Sequence, residues 1–196
     1  MFKETKTVCL FCGSQYGDFQ DLGFELRLFA EHLSRNGYRL IFGGGQEGLM
    51  GDVYRGALQS PHRHLTGVPF FSFLHELKKK ENFDKLYLAK TLGRRKDIFM
   101  EKADVFVVFP GAVGTIDEYF HALVLNAYGL IDKPIIIVNI QDYWRALIDL
   151  TFAPVRHGLM KNEMLKNVYV VSKISEIEPC FLERPVEKTL AFLFRS

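Results

Sequence analysis

The chain alternates between short, unbroken apolar runs and longer stretches in which apolar residues recur every three or four positions. Thr7 to Phe11, Arg39 to Phe42 and Val105 to Phe109 belong to the first kind, as do Lys133 to Asn139 and Val168 to Val171. A compact apolar run without polar alternation is what a strand buried on both faces looks like. His64 to Phe70 and Asp84 to Leu88 read as two further strands. Asp18 to Asn36 places Leu22, Leu26, Phe29, Ala30 and Leu33 at helical spacing, and Gly37 ends the pattern. Helices are also expected over Leu49 to Gln59, Leu92 to Ala103, Thr115 to Tyr128, Tyr143 to Arg156 and Pro185 to Phe194. Strands alternating with helices predict the α/β class: a Rossmann-like, doubly wound parallel sheet with helices on both faces.

Length and charge narrow the picture. The 196 residues suit a single domain, 1 to 196, with a sizeable core, and no linker or repeat interrupts them. A formal charge of only +2 argues against a nucleic-acid partner. Lys78-Lys79-Lys80 is answered by Glu76, Glu81 and Asp84, as on a solvated surface. No run approaches the roughly 20 apolar residues of a membrane helix, and Met1 to Lys6 lacks the apolar region of a signal peptide. A cytoplasmic protein without a membrane partner is expected. Cys9 and Cys12 form a C-x-x-C, but Cys180 stands alone, so a second ligand pair for zinc is missing. The three read as buried cysteines in a reducing compartment.

Two glycine-rich turns carry the candidate chemistry. Gly43-Gly44-Gly45-Gln46-Glu47-Gly48 follows the second strand, and Pro110-Gly111-Ala112-Val113-Gly114-Thr115 follows Val105 to Phe109. Each opens a helix, whose first N–H groups are unpaired and carry partial positive charge. In an open parallel sheet such turns lie at the carboxyl edge, where ligands bind, and Gly13-Ser14 joins them there. The first turn spells G-x-G-x-x-G, but after the second strand and with no acid in residues 62 to 72 for a ribose. A nicotinamide or flavin site is therefore disfavoured, and without a Gly-Lys pair a P-loop is excluded. Thr115-Ile116-Asp117-Glu118 also spells a capping box, with Thr115 as cap and Glu118 reaching back. Arg94-Arg95-Lys96 puts three cations at a helix start, where they are unfavourable unless an anion compensates. Successive helical residues point about 100° apart, so the three cannot share a face. Together the turns and the cations point to a pocket for a phosphorylated small molecule.

These residues resemble the Lonely-guy family of phosphoribohydrolases, whose members have often been labelled lysine decarboxylases. The resemblance runs from about Val8 to Met160. Val8 to Ser14 is similar to the family's opening strand and turn, and Phe42 to Gly45 with Gly48 to Gly51 to its first glycine motif. Pro110 to Glu118 matches the signature P-G-G-x-G-T-x-x-E except at Ala112, and Arg95-Lys96 falls on its R-K pair. The resemblance implies cleavage of the N-glycosidic bond of a nucleoside 5′-monophosphate, of the AMP or cytokinin riboside type, to free base and ribose 5-phosphate. It implies Arg95 and Glu118 as the catalytic pair. It places Gly111, Ala112, Val113, Gly114, Thr115 and Asp117 about the phosphate with Lys96, and Gly13, Ser14, Gly44 and Gly45 about the substrate. Glu76 matches a substrate-contacting glutamate at a spacing one residue off. No metal or organic cofactor is implied, and a homodimer is.

The chemistry suits these side chains. Breaking a ribosyl C–N bond builds positive charge on the sugar, which a carboxylate can stabilise while it activates water. Departures from the family pattern lie in Gly93-Arg94, in His121 and in Val124-Leu125-Asn126, so the wall about the base differs. The alternative is a non-catalytic carrier of a nucleotide or of molybdenum cofactor, a class similar in fold and glycine turns. A pyridoxal-phosphate decarboxylase would need a Schiff-base lysine with a partner for the ring nitrogen, and no such set is apparent.

Overall fold

The computed structural model describes residues 6–72, 77–78 and 80–183. Seven parallel strands form one sheet: β1 (Thr7–Phe11), β2 (Arg39–Phe42), β3 (His64–Gly67), β4 (Lys85–Leu86), β5 (Val105–Val108), β6 (Ile135–Val138) and β7 (Val168–Val171). Among the described residues six α-helices accompany them: α1 (Gln20–Arg35), α2 (Gly48–Ala57), α3 (Leu92–Lys102), α4 (Val113–Ala127), α5 (Arg145–Arg156) and α6 (Ile177–Glu183). The α/β, Rossmann-like sheet expected from the alternation is present.

The unbroken apolar runs are explained by burial on both faces. Val8 and Leu10 of β1 pack into a core with Leu26 and Phe29 of α1 and Val53 of α2. Cys9 and Phe11 of the same strand pack into a second core with Phe99 of α3, Tyr119 of α4 and Phe152 of α5. β5 and β6 alternate in the same way, with Val107 and Ile136 on the first side and Phe106 and Ile135 on the second. Cys9, Cys12 and Cys180 are all buried and unbridged. Burial pushes the Cys9 and Cys12 thiols well up from their ordinary range, and the Glu118 carboxylate adds to it. Such thiols are poor nucleophiles.

Strand order is β4-β3-β2-β1-β5-β6-β7, so chain direction across the sheet reverses beside β1. Ligands of open α/β sheets sit in the crevice at such a point, beyond the carboxyl ends of the strands. The loops after β1, β2 and β5 therefore converge where the glycine turns lie.

Several boundaries differ from the sequence pattern. β3 stops at Gly67 because Pro69 cannot donate to a ladder, and pairing resumes only as the bridge from Phe70 to Ala89. α4 begins at Val113, two residues before the expected Thr115, with Ala112 at the cap position and no side-chain cap. The capping-box reading of Thr115 and Glu118 is thereby overturned. Thr115 is the third helical residue and Glu118 lies in the second turn. α6 was not expected, and the helix expected over Pro185 to Phe194 lies outside the described residues. Among the described residues no helix is long and apolar enough to cross a membrane.

Candidate active site

The carboxyl edge brings the expected loops together through the backbone. Gly13 N–H donates to the Pro110 carbonyl at 3.0 Å, joining the loops after β1 and β5. Met50 N–H donates to the Gly13 carbonyl at 3.1 Å, joining the start of α2 to the same point. A side chain on Gly111 would meet the Thr115 hydroxyl and come within 3.1 Å of the Gly13 nitrogen. Gly44 and Gly48 have φ of 86° and 56°, a region where glycine is favoured, and Gly48 packs against the Ser14 carbonyl. A cavity of about 410 Å³ opens among Ser14, Gly43, Gly45, Met50, Phe70 and Arg95.

Arg95 and Glu118 meet beneath this cavity. Arg95 Nη1 donates to Glu118 Oε1 at 2.5 Å, with the two side chains 15% and 8% exposed. Three further contacts fix the guanidinium. Its Nε donates to the Val68 carbonyl at 2.8 Å, its carbon lies 5.1 Å from the Phe99 ring centre, and it passes directly under Gly43. A β-carbon at Gly43 would collide with it. Glu118 is pushed up to about 7 by burial, against the Arg95 charge and hydrogen bond, which pull it down. It is thus poised between acid and base near neutral pH, as general catalysis needs.

The triplet Arg94-Arg95-Lys96 divides three ways. Arg95 turns inward. Lys96 Nζ donates to Asp117 Oδ1 at 2.6 Å, the lysine largely covered and the aspartate half-exposed. Arg94 Nη1 donates to Glu101 at 2.6 Å on the open surface, so the expectation of three cations compensated by one anion is corrected. The Thr91 hydroxyl caps α3 by accepting from Arg94 N–H at 3.0 Å, which removes a donor from that helix start.

The two glycine turns also differ. Ile116 N–H makes the first bond of α4, to Ala112, leaving the N–H groups of Val113, Gly114 and Thr115 ahead of the ladder. The first turn of α4 carries no acid. At α2 the Met50 N–H is already engaged by Gly13. The start of α4 is the better anion cradle. Ala112, the departure from the signature, has φ of −99° and is exposed, so its methyl group imposes no backbone strain. Glu76 lies outside the described residues.

Other supports had no sequence signal. Tyr143 OH donates to the Gly111 carbonyl at 2.6 Å, presented by a turn in which Gln141 and Asp142 have positive φ. Asp52, almost wholly buried, accepts from Arg27 at 2.8 Å and from Arg55 at 3.2 Å. Arg55 in turn donates to Tyr16 OH at 2.8 Å and fastens the loop after Ser14 to α2. Asn126 bonds Lys133 and Asn167 at the far end of α4, and His121 lies 3.9 Å from Asp97.

A parallel sheet with glycine turns at its switch point, and a buried arginine–glutamate pair between them, defines a Rossmann-like α/β protein with an enzyme-type site. Residues 50–179 match the family model described as "Possible lysine decarboxylase", and the chain belongs to that family. It is 28% identical over 167 residues, 85% of this chain and 72% of the relative, to a probable cytokinin riboside 5′-monophosphate phosphoribohydrolase of Oryza sativa subsp. japonica. It is 31% identical to one of Arabidopsis thaliana, covering 79% of this chain and 77% of the relative. In fold it is similar to a molybdenum cofactor binding protein of Rippkaea orientalis, with a TM-score of 0.68 and 16% identity over 94% of this chain and 99% of that one. The named relatives support an enzyme of this family, in agreement with the Lonely-guy motifs.

Proposed function

We propose that the protein hydrolyses the N-glycosidic bond of a nucleoside 5′-monophosphate, releasing the free base and ribose 5-phosphate. The observation that carries the reading is the Arg95–Glu118 pair, buried at 2.5 Å beside the open helix start of α4. The 5′-phosphate would take the N–H groups of Val113, Gly114 and Thr115, with Lys96 at its edge. The ribose would then lie over Glu118. As the C1′–N bond breaks, its electron pair leaves with the base and positive charge gathers on the sugar. The ionised carboxylate stabilises that charge and takes a proton from the attacking water, whose oxygen bonds to C1′. The proton is finally returned to the base through solvent. Arg95 holds the carboxylate in place and favours its ionised form against the burial that opposes it.

The cavity beside the pair has Met50, Pro69, Phe70, Leu77 and Leu92 in its wall, which suits the flat, apolar part of an adenine nucleotide. AMP and an isoprenoid adenosine monophosphate are the substrates this wall supports. The same reading includes a homodimer, because α4 leaves Val113 and Val124 well exposed along its length. Incubation of the protein with a panel of nucleoside monophosphates, followed by chromatography for free base, tests the reading. Base release supports it. Tight binding of a nucleotide without any turnover would replace it with a carrier.

A further inference from the structure

The cations about the glycine turns are all paired, Arg95 with Glu118, Lys96 with Asp117 and Arg94 with Glu101. The opposite edge of the sheet, at the amino ends of the strands, is built differently. A cavity of about 450 Å³ opens there, with the buried Ile41 in its floor. Strand register sets Thr7 beside Arg39, Arg39 beside His64, and Thr66 beside Lys85. Parallel partners on neighbouring strands stand about 4.8 Å apart and point to the same face. Arg39 and His64 therefore project side by side, with Lys85 two residues further along on the next strand, and all three line one cavity. Lys102, at the end of α3, adds a third permanent cation, its Nζ 5.8 Å from the centre of the half-buried Tyr87 ring.

These side chains lack the neutralisation seen at the other edge. Among the described residues, Arg39, Lys85 and Lys102 have no ion-pair partner. Asp84, in the wall of the same cavity, and Asp104 beside it are engaged by the backbone. Asp84 Oδ2 accepts from Leu65 N–H and Asp104 Oδ2 from Thr7 N–H, each at 2.7 Å. Arg39 and Lys85 stand two strands apart with His64 between them, a spacing that lets one anionic group reach all three. The cavity has the size of small-molecule sites, and its apolar floor and aromatic wall suit a ring. Arginine and lysine together suit phosphate oxygens.

We propose that this cavity is a second binding site, for a phosphorylated small molecule of nucleotide size, whose phosphates are held by Arg39, His64 and Lys85 and whose ring lies against Tyr87. The site is separate from the glycine turns and does not depend on the reaction proposed for them.

The test is a titration of the full-length, nitrogen-15-labelled protein with pyrophosphate and, separately, with ADP, followed through the amide resonances. Saturable shifts are expected at Leu40, Leu65 and Leu86, apart from any at Gly44, Gly45 and Gly114. In the double variant R39A/K85A, which removes two exposed side chains far from the glycine turns, the first set should weaken by roughly tenfold or more. The glycine set should stay unchanged, which also shows that the variant is folded. Shifts at the amino edge that never saturate at millimolar pyrophosphate or ADP, or that persist unaltered in R39A/K85A, would overturn the proposal.

Discussion

Replacing Glu118 by glutamine separates its charge from its shape. The amide of E118Q keeps an oxygen for Arg95 Nη1, which lies 2.5 Å from Oε1 in the parent, and the volume of the side chain is conserved. Only the negative charge is lost. A carboxylate about 4 Å from the sugar cation, at an effective dielectric near 20, contributes roughly 4 kcal/mol to the transition state. That corresponds to a loss on the order of 10³ in kcat, and removal of comparable electrostatic groups costs at least ~10². Adenine release from AMP, followed by chromatography at saturating substrate, reads the effect directly. The melting temperature should move by under about 4 °C, since the hydrogen bond and packing survive. The pH profile adds a second signature. With Glu118 pushed up to about 7, kcat/KM of the parent should fall as pH drops through that value, as the working carboxylate becomes protonated. In the parent, ionisation of Glu118 also removes stability as pH rises from its unfolded value through its raised folded value. E118Q should lack that decline. Wild-type turnover in E118Q would show that Glu118 is structural and that the mechanism is wrong.

Three other outcomes follow from the geometry. G43A places a methyl group against the Arg95 guanidinium, so kcat should drop by about tenfold or more with KM changed less, as read from steady-state kinetics. R94A should leave turnover within about twofold, because Arg94 pairs with Glu101 in solvent and such exposed pairs contribute little; a large loss would return Arg94 to the site. Light scattering at micromolar concentration should give a dimer or a multiple of it, and a monomer alone would remove the partner from the reading.

The strands were legible because parallel strands buried on both faces leave unbroken apolar runs, and β1, β5 and β7 are such runs. The candidate site was legible as a set of turns and charges, but its orientation was not. The letters T-x-x-E fit a capping box, and only the turn at Gly111 and Ala112 decides that α4 starts at Val113 and carries Glu118 into the interior. Helical geometry shows that Arg94, Arg95 and Lys96 diverge, yet which one turns inward depends on the Val68 carbonyl and the Phe99 ring. Those are tertiary contacts without a local signature. The same holds for Tyr143, which reaches Gly111 across the crevice. α6 leaves no clear signal in the sequence because it is seven residues long with Pro179 in its first turn, a place where proline is tolerated.

The central claim is that a phosphate seated at the start of α4 brings a ribosyl bond over the Arg95–Glu118 pair. The measurement that tests it most directly compares base release from a nucleoside 5′-monophosphate with release from the same nucleoside, beginning with AMP and adenosine and then with their isoprenoid derivatives. Several charge-assisted hydrogen bonds at roughly 1.5–3 kcal/mol each favour the phosphorylated substrate by orders of magnitude in kcat/KM. The account predicts free base and ribose 5-phosphate in equal amounts from the nucleotide and next to nothing from the nucleoside. Equal cleavage of AMP and adenosine, or no free base from any nucleotide, would contradict it.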